Sequence, residues 1–171
     1  MSISASTPLE SDPIALATSN WTTAGWGDVA ESMALVTSIM RVQQLLLGRV
    51  ETTLRPFELT FARFEVLMLL TFSSRGQLPV GKIGERLQVH PASVTNAVQR
   101  LTAAGLAERS TNPDDGRSIL ASITPEGRRV ALAAAGALNE QVFADVGLDP
   151  ADHAATLQVL ATWRQAFGDF R

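Results

Sequence analysis

Residues 78–127 constrain this chain more than any other segment, because they order five short elements with almost no slack between them. Leu78-Pro79-Val80-Gly81-Lys82-Ile83-Gly84-Glu85-Arg86-Leu87 puts Val80, Ile83 and Leu87 on one helical face, with Pro79 where a helix starts. Its two glycines make it a poor isolated helix, so packing has to hold it. Gln88-Val89-His90 is a short connection, and Pro91 opens the next helix. Val94, Val98 and Leu101 recur there at helical spacing, and Gly105 is a natural stop. Leu106-Ala107-Glu108-Arg109-Ser110 then alternates apolar and polar residues, as a half-buried strand does. Residues 111–116 are dense in turn formers, and 118–123 read as a second strand, which predicts a hairpin. Thr124-Pro125-Glu126-Gly127 supplies a cap, a proline at the first helical position and an early acid for a helix running to about Val146.

The flanks are helical. Over 28–54, Val29, Met33, Val36, Met40, Leu47, Val50 and Leu54 recur at helical spacing, and the helix has to stop before Pro56. Thr60 can cap a further helix whose run Phe64, Val66, Leu67, Leu69, Leu70 is apolar on too many sides for a surface position. Residues 73–77 read as a loop. Gly147-Leu148-Asp149-Pro150 breaks the chain before a last helix with Leu157, Leu160, Trp163 and Phe167 on one stripe, and Trp163 is expected in the core. The start, rich in Ser, Thr and Pro, lacks the basic and apolar regions of a signal peptide, so 1–27 are expected to form a flexible tail on a cytoplasmic protein. The expected fold is mainly α with a small β-hairpin wing: a winged helix-turn-helix over 59–130, flanked by long helices at 28–58 and 131–171.

Several function classes fall away. The chain has no cysteine, which excludes disulfides, thiolate metal sites and cysteine nucleophiles. His90 and His153 are its only histidines, and neither sits in a catalytic or metal-binding motif. Asp149, Asp152 and His153 read as a capped, acidic helix start rather than a metal site. Without a phosphate loop or nucleophile elbow, no enzyme, cofactor or metal is expected, and no apolar run approaches the roughly 20 residues of a membrane span.

The charge pattern points elsewhere. The chain carries −3 overall, yet residues 75–130 hold eight basic and five acidic side chains, a local +3. Phosphate binding responds to local charge. Over 91–104 the outward positions are Ser93, Thr95, Asn96, Gln99 and Arg100, short donors and acceptors with one longer cation. A helix of this size fits the major groove, where Asn96 and Gln99 can each read adenine bidentately. His90 and Ser93 stand at the helix start, where backbone amides favour a phosphate. An ordinary surface helix of mixed polar residues has the same composition. The hairpin tip carries Asp114, Asp115, Gly116 and Arg117. A lone arginine there suits a narrow minor groove, with a carboxylate to hold its guanidinium; a solvated turn with a local ion pair is the alternative.

Residues 80–129 resemble the DNA-binding region of the MarR family of bacterial regulators. The likeness rests on Gly84-Glu85-Arg86-Leu87, on Ser93-Val94-Thr95-Asn96-Ala97-Val98-Gln99-Arg100-Leu101, on Ala104-Gly105-Leu106-Ala107-Glu108-Arg109, on Pro113-Asp114-Asp115-Gly116-Arg117, and on Ile123-Thr124-Pro125-Glu126-Gly127-Arg128, in that order. The long helices on either side extend it over about 28–170. The resemblance implies a homodimer built from the first and last helices, reading a pseudo-palindromic site in double-stranded DNA with half-sites about one helical turn apart. It implies a repressor of its own or neighbouring genes that a small, aromatic or anionic ligand releases. The family's wing arginine falls on Arg117, with Asp115 as its partner, while Gly116 stands where the family often has a further basic residue. Family members that sense urate-like anions use a tryptophan near the first long helix, which singles out Trp21 and Trp26, with Arg63 and Glu65 as charged partners. Packing of both tryptophans onto the dimer is the other reading.

Overall fold

The computed structural model describes residues 9–113 and 115–170, in two compact units that divide between Arg49 and Val50. Element order is α1 (Pro13–Thr23), α2 (Gly27–Leu54), a 3-10 turn (Arg55–Phe57), α3 (Phe61–Phe72), β1 (Gln77–Pro79), α4 (Val80–Leu87), α5 (Pro91–Ala103), β2 (Ala107–Asn112), β3 (Asp115–Ile123), α6 (Pro125–Leu138), a π turn (Asn139–Phe143) and α7 (Pro150–Ala166). The fold is a winged helix-turn-helix, mainly helical, with a small antiparallel sheet.

The expected tail over 1–27 is corrected in its second half. Residues Pro13–Thr23 form a helix because Asp12 caps it, accepting the Ile14 N–H at 2.9 Å, and Pro13 presets its first turn. Residues 1–8 of that segment lie outside the described residues.

The core belongs to the second unit. Leu54, Leu67, Leu70, Ile83, Leu101 and Leu138 are fully buried and belong to one apolar cluster. Helix α3 is the hub, packing on α5, α6 and β3, which explains why its apolar run covers more than one face. The sheet has three strands in the order β1-β3-β2, one more than the hairpin. Strand β1 lies where the end of a loop and the start of the next helix are expected. It forms because the edge of β3 pairs with it: Gln77 faces Ser122, Leu78 faces Ala121 and Pro79 faces Leu120. The third correction concerns Trp163. It is half-buried outside the core cluster and stacks on Phe167 at 5.9 Å, and its stripe-mates Leu157 and Phe167 are exposed.

Two joints tie α6 to its neighbours, one to the end of α5 and one to the end of α3. At the C-terminal end of α5 Gly105 takes φ +70, and the Leu106 N–H returns to the Leu101 carbonyl at 2.9 Å. Thr124 ties that end to α6: its hydroxyl donates to the Gly105 carbonyl at 2.8 Å and accepts the Gly127 N–H at 2.9 Å. At the other joint Arg128, on α6, donates from Nη1 to the Thr71 carbonyl at 3.0 Å, closing the last turn of α3 across 57 residues of sequence. Arg128→Ala is therefore expected to lower stability by about 1.5 kcal/mol, the worth of a half-buried charged hydrogen bond. A urea denaturation midpoint that does not move, at an unchanged slope, would remove Arg128 from that joint.

Candidate nucleic-acid interface

The outer face of α5 is built by its inner one. Val94, Ala97, Val98 and Leu101 are buried, so the remaining positions turn outward. His90 caps the helix, its Nδ1 accepting the Ala92 N–H at 3.2 Å, which leaves Nε2 as the outward donor of the neutral ring. Ser93, Asn96, Gln99 and Arg100 are exposed. Thr95 departs from the expected row. It is half-buried, its hydroxyl donates to the Pro91 carbonyl at 3.0 Å, and it lines a crevice of about 450 Å³ with Val80, Gly84, Glu85 and Val89 on the α4 side. Ser93, Asn96 and Arg100 instead line a groove of about 670 Å³ on the α3 side, together with Thr60, Ala62 and Arg63. Sequence reasoning found Thr60 as a cap and Arg63 as a cation. It had no signal that α3 would bring either beside α5.

The wing is the second element. The ladder pairs Ala107 with Ile123 through Thr111 with Ile119, then jumps to Asn112 with Asp115. Gly116, Arg117 and Ser118 are left in the resulting bulge, and a bulge re-aims the side chains it carries. Asn112 Nδ2 donates to Ser118 Oγ at 2.9 Å, and Ser118 Oγ donates to the Asp115 carbonyl at 3.1 Å, which braces the tip. Asp115 meets Arg117 at the backbone: its Oδ1 accepts the Arg117 N–H at 3.2 Å. The carboxylate expected to hold the guanidinium instead shapes the turn, because a two-residue separation fits an Asx turn. Among the described residues Arg117 has no ion pair, and its side chain is exposed.

The four residues expected at a ligand site divide between the two units. Trp21 and Trp26 pack edge to face on each other in the first unit, with centroids 5.2 Å apart. Arg63 and Glu65 are both half-buried on α3 in the second unit. Burial pushes the Glu65 carboxyl above its ordinary value, while Arg63 lines the α5 groove and Glu65 does not.

Comparison with known proteins bears on this geometry. A model described as "MarR family" matches residues 57–118. Sco5413, a MarR family transcriptional regulator from Streptomyces coelicolor, is 49% identical in an alignment covering 82% of this chain and 97% of that one, with a TM-score of 0.75. The chain belongs to the MarR family. The HTH-type transcriptional regulator YhbI of Bacillus subtilis is 32% identical over 85 residues, half of this chain, and the match spans 54% of YhbI. BpsR of Bordetella bronchiseptica, whose DNA binding is regulated by 6-hydroxynicotinic acid, is 25% identical over 74% of this chain and 90% of its own, with a TM-score of 0.66. Membership makes this MarR-family chain a DNA-binding transcriptional regulator and not an enzyme. None of its described helices is long and apolar enough to cross a membrane.

Proposed function

We propose that the chain acts in the cytoplasm as a homodimeric repressor that reads a pseudo-palindromic site in double-stranded DNA and leaves it when a small aromatic anion binds. One observation carries the DNA half: the exposed row Ser93, Asn96, Gln99 and Arg100 lies on a helix whose other side is core, next to a wing whose Arg117 is unpaired among the described residues. Asn96 and Gln99 read base edges, Arg100 and His90 meet phosphates, and Arg117 enters the minor groove.

The dimer half rests on α2 and α7, within the segments 28–58 and 131–171 expected to form the interface. Val36, Met40 and Leu46 on α2, Leu157 on α7 and Phe167 at its C-cap are exposed apolar side chains that a second copy would cover. Regulation of BpsR by an aromatic acid supports the effector. A dimer seated on an operator blocks access to it, which makes repression the natural sign.

Selection of bound duplexes from a random pool tests this. The expected motif is two inverted half-sites about one helical turn apart. A single unrepeated half-site would remove the dimer from the reading. On the selected duplex, Arg117→Ala should weaken binding and lower the salt slope by roughly one unit; an unchanged slope would remove the wing from the minor groove.

A further inference from the structure

We infer that the groove between α3 and α5 holds a backbone phosphate of the bound DNA, with Arg63 of α3 as a contact outside α4, α5 and the wing. The inference rests on the DNA-binding reading above and adds a partner for one of its surfaces.

The argument begins with size. An α-helix with its side chains is about 10–12 Å across, and the major groove is about 12 Å wide. A helix lying in that groove fills it, so whatever stands immediately beside the helix meets a sugar-phosphate strand. On one side of α5 that neighbour is the crevice toward α4, which contains the carboxylate of Glu85, itself paired with Lys82 at 2.7 Å. On the other side it is the 670 Å³ groove, whose lining includes two guanidinium groups and no carboxylate. An anion is favoured only on the second side.

The chemistry of the lining fits a phosphodiester. Thr60 and Ser93 offer hydroxyl donors, and Arg63 and Arg100 offer charge. Arg63 is preorganised: its Nε donates to Thr60 Oγ1 at 3.2 Å, the same hydroxyl that caps α3 by accepting the Arg63 N–H. That bond fixes the plane of the guanidinium and leaves both terminal nitrogens without a partner among the described residues. Arg129 pairs with Glu126 and Arg164 with Asp169, whereas Arg63 and Arg100 have no acidic partner among the described residues. A planar fork held at one nitrogen and open at the other two suits two oxygens of one phosphate.

The test is a salt titration of duplex binding by the full chain and by Arg63→Ala and Arg63→Lys, on the selected duplex and on one of unrelated sequence. Arg63→Ala should weaken both by about tenfold and lower the slope of log affinity on log salt by roughly one. Arg63→Lys should keep the slope and lose part of the affinity, because it keeps the charge and loses the fork. Loss on the selected duplex alone would make Arg63 a base contact and overturn the inference. So would unchanged affinity and slope in Arg63→Ala accompanied by loss of benzoate-driven release, because the groove would then take a free anion instead. The two readings fail separately: a wild type that prefers no duplex defeats the proposed function, while the Arg63 slope on the unrelated duplex still reports the phosphate contact.

Discussion

Gly127→Ala is expected to destabilise the second unit by about 3 kcal/mol or more, far beyond an ordinary surface change. A Cβ built on Gly127 would lie 1.9 Å from the Leu106 carbonyl oxygen and 2.8 Å from its carbon, and both are backbone atoms that cannot rotate aside. The same carbonyl accepts the Thr124 N–H at 3.2 Å, so moving it also breaks the joint between the end of α5 and the start of α6. Gly136 supplies the control. It lies inside the same helix with nothing within 4 Å of its Cβ position, so Gly136→Ala should stabilise by about 0.5–1 kcal/mol. Urea unfolding of the two variants reads both effects, with failure of Gly127→Ala to fold counting as the expected result. A Gly127→Ala midpoint equal to that of the wild type would mean that α6 does not start against the Leu106 carbonyl.

Sequence reasoning located this joint without its geometry. Gly105 and Thr124 are legible because each performs a local task, a left-handed stop and an N-cap, that few other residue types perform. The closeness of Gly127 to Leu106 is not local: it depends on how far β2 and β3 run before α6 begins. Strand β1 was missed for the same reason. Gln77-Leu78-Pro79 is too short to show an alternation, and it is a strand only because residues 120–122 of β3, paired with β2 on one edge, offer it their other edge. Helix α1 was missed for the opposite reason. Its Asp12–Pro13 start is a strong local signal, but the Ser, Thr and Pro around it suggested a tail. Trp163 was misplaced because a helical apolar stripe reads the same whether its own chain or another one covers it.

The interface divides along the same line. The 3.6-residue period alone separates Val94, Val98 and Leu101 from Asn96, Gln99 and Arg100, and the structure keeps that division. It misjudged Thr95, at the border between the faces, where contact with α4 and a bond back to Pro91 draw the hydroxyl inward. It also misjudged the acid beside Arg117, because spacing does not say whether a carboxylate meets the side chain or the backbone N–H two residues on. Arg63 and Thr60 reach α5 through the packing of α3, a contact between segments some 30 residues apart that no local pattern records.

The division of α5 into two faces sets up the second large effect, which pairs Leu101→Ala with Asn96→Ala. Leu101 is fully buried in the core cluster, and its carbonyl takes the Leu106 N–H that closes the helix. Truncating it should cost about 3 kcal/mol of stability, because the lost burial and the remaining cavity act together. It should leave base preference as it is, since no atom of Leu101 reaches the outer face. Asn96 is exposed at the groove, so its loss should change stability by no more than about 0.5 kcal/mol. It should nevertheless cost about 1–3 kcal/mol of discrimination at one base pair, the worth of a bidentate contact. Denaturation measures the first column of this comparison, and binding to duplexes varied one base pair at a time measures the second. The faces are wrongly assigned if Asn96→Ala lowers the unfolding midpoint as far as Leu101→Ala does. They are equally wrong if Leu101→Ala, under conditions where it is folded, relaxes preference at a single base pair. Opposite results in the two columns would mean that one short helix keeps stability on its inner side and sequence reading on its outer side, with neither dependent on the same side chain.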